Sequence, residues 1–254
     1  MIVELAGVKV DNVTMDQALK KLEEFIAERW PHLIVTPNPE MIVAAQEDEE
    51  LRNILDNAHL RLPDGISMVV VSNILRCPLK ERIAGIDFLL RSVELSALKG
   101  YRIFLLGGAP GVAEAAARVL KSKYPNLIIA GTQHGYFSAG GGSAFGGKSS
   151  EEQEIVTKIR TSAPDILFAG LGMGRQEKWL ARNLADLNVP VSVGVGGSFD
   201  VISGIKRRAP KWIQGLYIEW LYRLITEPQR WKRQLALPKF LWLTLVKNVI
   251  IRFK

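Results

Sequence analysis

Four short apolar runs in this chain each end in a turn and lead straight into a stretch of helical character, and this repeated punctuation constrains the fold more than any other feature. Leu33-Ile-Val-Thr36 is followed by Pro37-Asn-Pro-Glu40, where Asn38 can cap a helix that has Pro39 at its first position and Glu40 near its positive end. Arg102-Ile-Phe-Leu-Leu-Gly107-Gly108 leads into an Ala-rich helix over 110–122. Asp165-Ile-Leu-Phe-Ala-Gly170-Leu-Gly172 leads into a helix over 175–187, and Pro190-Val-Ser-Val-Gly194 runs into Val195-Gly196-Gly197. Strands alternating with helices, with glycine at the strand exits, predict an α/β fold: a Rossmann-like parallel sheet with helices on both faces. No internal sequence repeat is present.

In such a sheet the loops beyond the carboxyl ends of the strands form the ligand crevice, and helix N-termini there favour anions. The loops concerned hold Thr36-Pro-Asn38, Pro63-Asp64-Gly65, Gly107-Gly108, Gly170 to Gln176 and Gly194 to Asp200. Each glycine taken singly is better explained by backbone geometry than by phosphate contact. None completes a G-x-G-x-x-G fingerprint or a P-loop, which argues against a dinucleotide or P-loop enzyme.

Composition matters most at the carboxyl end. The segment 205–254 holds twelve Lys/Arg against two acids, Glu219 and Glu227, and four of the six tryptophans. The net charge of +7 therefore resides there, and residues 1–204 are slightly acidic. Basic charge, Trp and aliphatics together suit an anionic membrane surface. Trp212, Ile213, Leu216, Tyr217, Trp220, Leu221, Leu224 and Ile225 recur at spacings that predict one helical stripe, facing either the body or a bilayer. The run from Phe240 to Phe253, interrupted by Lys247, Asn248 and Arg252, is too short to span a membrane and is expected to lie on one. The chain thus divides into an α/β catalytic domain, 1–204, and a basic, amphipathic helical appendage, 205–254.

The remaining signals are mostly exclusions. The opening residues lack the basic flank and long apolar stretch of a signal peptide, so the expectation is a cytoplasmic protein. Cys77, the one cysteine, is expected to be a reduced structural thiol. His32, His59 and His134 lack metal-ligand spacing, and no Asp-x-Asp pair can hold Mg²⁺ on a nucleotide diphosphate. The expectation is an enzyme without metal or other cofactor, in which basic side chains and backbone amides handle any diphosphate. The Gly/Ser stretch 138–150 reads as a flexible loop, either an inert insertion or a lid. Leu60-Arg-Leu62 places Asp64 at a strand exit, where a solvated turn aspartate is the ordinary reading.

Nine blocks in order give these pieces a common meaning: Thr36 to Glu40, Leu62 to Gly65, Glu81 to Asp87, Gly135 to Phe137, Pro164-Asp165, Gly170 to Glu177, Gly194 to Asp200, Arg208-Ala-Pro210 and Glu219 to Pro228. Together they resemble the WecG/TagA/CpsF glycosyltransferases. The resemblance implies a bacterial, inverting enzyme that moves a sugar from a UDP-sugar donor to an undecaprenyl-diphosphate-linked acceptor at the inner face of the cytoplasmic membrane. The branch it is most similar to transfers N-acetylmannosamine to lipid-linked N-acetylglucosamine in the wall teichoic acid linkage unit. The likeness makes Asp64 the catalytic base and puts Thr36, Arg82 and Gln176 around the sugar and diphosphate. Asn38 joins them as a substrate-binding candidate, with Tyr136 and Asp200 in pocket motifs. It also implies that Arg223, Arg230 and Arg233 reach the diphosphates when the appendage closes. The chain departs from the family at Gly174, where proline is usual, and in its longer Gly/Ser stretch.

A single carboxylate with arginines and helix N-termini suffices for direct displacement, which needs a base on the attacking hydroxyl and charge stabilisation on departing UDP. Other donors, an N-acetylmannosaminuronic acid or a glucose or galactose nucleotide, stay open, as does a homo-oligomer. A nucleic-acid-binding module is the competing class, but Trp and aliphatics interleaved with the basic residues favour lipid.

Overall fold

The computed structural model describes residues 1–137, 149–215, 218–226 and 231–252. The chain opens with β1 (Ile2–Leu5) and β2 (Val8–Asp11), an antiparallel hairpin. Ala6 and Gly7 both take positive φ, the two-residue turn whose twist matches paired strands. Val3, Leu5, Val8 and Val10 are buried on one face. Asp11 fastens the hairpin to the body, its Oδ2 accepting from Arg61 N and Nε at 2.9 Å.

There follow α1 (Met15–Glu28), β3 (His32–Val35), α2 (Pro39–Ala44), α3 (Glu49–Asn57), β4 (Leu60–Arg61), α4 (Ile66–Ile74) and α5 (Gly85–Lys99). The second half alternates regularly: β5 (Arg102–Gly107), α6 (Val112–Lys123), β6 (Ile128–Gln133), α7 (Ser150–Ser162), β7 (Ile166–Gly170), α8 (Arg175–Leu187), β8 (Val191–Gly194) and α9 (Ser198–Ile202). The six strands from β3 to β8 form one parallel sheet in the order β4-β3-β8-β7-β5-β6. This is the Rossmann-like arrangement that the strand-exit glycines predict.

Strand residues alternate between two apolar cores, as a pleat requires. Ile34, Ile103, Leu105, Ile166, Phe168 and Val193 point to a core closed by α1, α5 and α6. Leu33, Val35, Phe104, Leu106, Leu167 and Ala169 point to the other, closed by the hairpin, α2, α3, α4, α7 and α8. Half-buried Cys77 packs against this second core. The helix after β5 and the helix after β7 therefore cover opposite faces of adjacent strands. That divergence makes a crevice at their carboxyl ends, where α/β sheets bind ligands.

The appendage consists of α10 (Lys211–Gly215), α11 (Glu219–Thr226), α12 (Trp231–Gln234) and α13 (Ala236–Arg252). The single helix expected over Trp212 to Ile225 is two. The Ile218 amide turns back to the Ile213 carbonyl at 3.3 Å beside Gly215, a poor helix former, in the manner of a helix end. Leu216 and Tyr217 lie outside the described residues. Ile213 is buried, whereas Trp212, Trp220, Leu221 and Ile225 are exposed. On α13 the apolar run has two sides: Phe240 and Thr244 are fully buried, Phe240 within the core beside α2 and α4, while Leu241, Trp242, Leu245 and Val246 face outward. Among the described residues no helix is long and apolar enough to cross a membrane.

Candidate active site

Asp64 is positioned by its backbone. Its amide donates to the Pro37 carbonyl at 2.9 Å, and the next-door Pro63 carbonyl accepts from Ile83 at 2.8 Å, so the β3 exit, the β4 exit and the approach to α5 are joined. Gly65 completes the turn at φ +127°, where a side chain would be strained and would press on Pro39. The Asp64 carboxylate faces the amino end of α5, with Gly85 N at 3.4 Å from Oδ2, where the helix dipole favours negative charge. Thr36 is buried beside Gly85 and donates from Oγ1 to the Gly194 carbonyl at 3.3 Å, joining the β3 and β8 exits. Asn38 serves α2 as its cap, accepting from Met41 N at 3.0 Å.

Gln176 locks the next pair of loops. Its Oε1 accepts from Gly196 N at 3.0 Å, and its Nε2 donates to Glu177 Oε1 at 2.7 Å. Glu177, wholly buried, accepts from Gly174 N at 2.7 Å with its other oxygen. Burial pushes the Glu177 carboxyl up, against the lowering effect of the Gln176 and backbone hydrogen bonds. Any side chain on Gly194 would collide with both Gln176 and Glu177. At the β5–β7 crevice Gly107 lies so close to Gly170 that a side chain there would overlap the Gly170 backbone. Gly108 N donates to Gly170 O at 3.1 Å, and Gly135 N donates to Gly108 O at 2.8 Å.

Basic groups meet the site near the start of α5. Arg208 holds Asp87 with both terminal nitrogens, at 2.6 and 2.8 Å. Arg82 Nη2 lies 3.8 Å from Asp87 and 3.7 Å from Glu219, which also lies 3.7 Å from Arg208 Nε. Burial works against the Arg208 charge, but Asp87, then Glu219 and Asp64, outweigh it and hold its pKa above the ordinary arginine value.

A model of the glycosyl transferase WecG/TagA/CpsF family matches residues 3–253. The chain belongs to the WecG/TagA/CpsF family. A Bacillus subtilis strain 168 protein is 37% identical over 89% of this chain and 83% of its own length. A Staphylococcus aureus NCTC 8325 protein is 32% identical over 94% of this chain and 91% of its own. A Bacillus spizizenii relative is 36% identical over 82% and 76% respectively. All three are named N-acetylglucosaminyldiphosphoundecaprenol N-acetyl-beta-D-mannosaminyltransferase.

Against this family background the structure brings Thr36, Asp64 and Arg82 together around the start of α5, and Gln176 joins them through the Gly194–Gly196 loop. Tyr136 is exposed beyond β6, the edge strand opposite β4. Asp200 is half-buried on α9, its side chain 3.8 Å from Lys206. Arg233 is exposed on α12, and both the Arg223 side chain and Arg230 lie outside the described residues, as do 138–148 of the Gly/Ser stretch. Sequence reasoning missed Glu177, Asp87, Arg208 and Glu219. All four lie inside the quoted family blocks. His32 and His59, scattered in sequence, lie 4.9 Å apart at the amino ends of β3 and β4. Among the described residues no cluster of three His, Cys, Asp or Glu could hold a metal. A groove of about 700 Å³ between α3 and α8, beside His59, opens at that amino end, away from Asp64.

Proposed function

We propose that this chain transfers N-acetylmannosamine from a UDP donor to undecaprenyl-diphosphate-linked N-acetylglucosamine, with inversion, as a step of wall teichoic acid linkage-unit synthesis. The names of the Bacillus and Staphylococcus relatives support the sugar and the acceptor. The mechanism rests on one observation: the Asp64 carboxylate at a strand exit, beside buried Thr36 and the first amide of α5. Asp64 takes the proton of the acceptor hydroxyl as its oxygen attacks the anomeric carbon, the bond to UDP breaks, and the proton ends on Asp64. Charge arising on UDP falls to Arg82, and the nucleoside end extends toward the β5–β7 crevice. Asp64 and that crevice lie about three strand spacings apart, ~14 Å at ~4.8 Å each, a span suited to a nucleotide sugar lying across the strand ends. Gln176 holds the two intervening loops in register.

The acceptor's lipid stays in the bilayer, so the enzyme works at the inner membrane face. The outward side of α13, with Leu241, Trp242 and Leu245 exposed on a strongly basic segment, supports peripheral binding there. The testing experiment is a donor screen on a lipid-diphosphate-GlcNAc analogue, scored by UDP release with and without EDTA. Turnover with UDP-N-acetylmannosamine, unchanged by EDTA, is expected. Turnover only with another nucleotide sugar, or only with added Mg²⁺ or Mn²⁺, would overturn the donor or the metal-free chemistry respectively.

A further inference from the structure

Helix α4, reading Ile-Ser-Met-Val-Val-Val-Ser-Asn-Ile, is the one described helix of residues 1–204 without a charged residue. Its inward side, Met68 and Val71 with the following Leu75, packs into the core. A surface helix facing water carries polar and charged residues on the opposite side. On α4 that side instead holds Val70 and Ile74, which share a ridge at helical spacing and are 49% and 58% exposed. Two features of its setting bear on what meets this ridge. The first is its neighbour. Helix α13 packs against α2 and α4, and its own outward Leu241, Trp242 and Leu245 are apolar residues of a strongly basic segment. Exposed Arg76, at φ +59° where α4 ends, puts a further cation at the far end of the ridge. Apolar side chains beside a long basic one suit a bilayer interface, where the cation stays with anionic headgroups. The second feature is the helix's origin. It leaves the turn of Asp64, whose amide is tied to the Pro37 carbonyl at 2.9 Å. From Ile66 to Ile74 the helix rises ~12 Å, a length comparable with the sugar and diphosphate that separate an acceptor hydroxyl from its lipid. Two half-exposed aliphatic side chains fall far short of the ~800 Å² per partner that a stable protein interface buries, whereas a bilayer needs no matched surface.

We propose that the outward ridge of α4 is a second membrane contact, made by the α/β body itself. Val70 and Ile74 enter the interface of an anionic bilayer beside α13, and the helix between them and Asp64 sets the height of the base above the headgroups. This rests on the lipid-linked-acceptor reading above. Held at two places, on the appendage and on the body, the site has its orientation to the bilayer fixed as well as its distance.

The test is flotation of the full-length protein on vesicles of phosphatidylcholine and phosphatidylglycerol. Val70→Glu with Ile74→Glu should weaken binding about tenfold and lower turnover on an acceptor embedded in the same vesicles. Turnover on a short soluble acceptor should stay at the wild-type level. Leu98→Glu, at an 80% exposed position on α5 across the sheet, should bind as wild type does. Location is read separately. In a Cys77→Ser background, an environment-sensitive dye on Ile74→Cys should shift to the blue when vesicles are added, and the same dye on Leu98→Cys should not. Unchanged vesicle binding by the double variant overturns the proposal, as does a dye at position 74 that stays in water. So does a wild type that sediments as a dimer without vesicles and becomes a monomer in the double variant, which would give the ridge to a second copy of the chain. If the double variant also loses turnover on the soluble acceptor, its fold is disturbed and the dye decides. Wild-type protein that does not float overturns the membrane reading of α13 and this inference together, whereas floating protein with the position-74 dye in water overturns this inference alone.

Discussion

Two carboxylates near the strand exits, both at helix amino ends, differ in burial, and their chemistry should differ accordingly. Asp64 is half-buried at the amino end of α5, within reach of the Arg208 charge. Asp64→Asn should lower transfer by about 10² or more, the usual contribution of a general base, while leaving the melting temperature close to wild type. Near-normal turnover in the folded variant would remove Asp64 from that role. Glu177 also lies in the first turn of a helix, but its complete burial outweighs the hydrogen bonds from Gln176 and the backbone, and its pKa rises above the ordinary 4.5. The folded protein therefore keeps this proton to a higher pH than the unfolded chain. The stability it contributes is complete below 4.5 and is lost as pH rises through the raised value. Denaturant midpoints of wild type and Glu177→Gln between pH 4.5 and 8 should show wild type losing ground as pH rises, by at most about 1.4 kcal/mol per pH unit. A difference that stays constant across the range would contradict this sign.

The elements repeat the lesson with backbone in place of charge. Helix α8 starts where the sequence places it, but the geometry of its first turn was not legible from residue types. Gly174 takes φ +79° and donates its N–H to Glu177 at 2.7 Å. Proline at this position can supply neither the angle nor the proton. Gly174→Pro should therefore destabilise this protein by more than about 1 kcal/mol and lower turnover through the Gln176 loop, read by urea denaturation and by kcat. A variant as stable as wild type would mean that the loop has a second conformation. The β1–β2 hairpin, which sequence reasoning passed over, did leave a signal: alternating Val3, Leu5, Val8 and Val10 around Ala6-Gly7. The tail stripe erred the other way, because a periodicity that fits one helix also fits two when a glycine separates them.

At the scale of the whole molecule, the appendage is tied to the body by more than charge. A cut after residue 204 removes Arg208 from Asp87 and strips Ala209, Ile213 and Phe240, all buried, from their packing. The truncated protein should melt at a lower temperature than the full chain and lose transfer activity, even on a short soluble acceptor. Full activity on that acceptor would reduce the appendage to an anchor. Its outward face is testable separately. Trp242→Glu with Leu245→Glu should weaken binding to anionic vesicles about tenfold or more, since burying one large apolar side chain contributes ~1.5–3 kcal/mol. Raised salt should weaken the intact protein in the same direction. Unchanged flotation of the double variant would place the membrane contact elsewhere.

The alternation of apolar runs, glycines and helical stretches determined the parallel sheet and the end of it that carries the site, because strand period, helix capping and turn chemistry are local properties of the chain. Asn38, Pro39 and Gly65 could be assigned their backbone tasks for the same reason. What joins Thr36 to Gly194, Gln176 to Gly196, or Arg82 and Arg208 to Glu219 could be decided only by the tertiary structure. Those partners come from different strand exits or from the appendage, and which of them meet depends on strand order and on how the last helices pack. The split of α13 into a buried and an exposed side has the same origin: both sides are apolar in sequence, and only the body beneath Phe240 decides which one faces in.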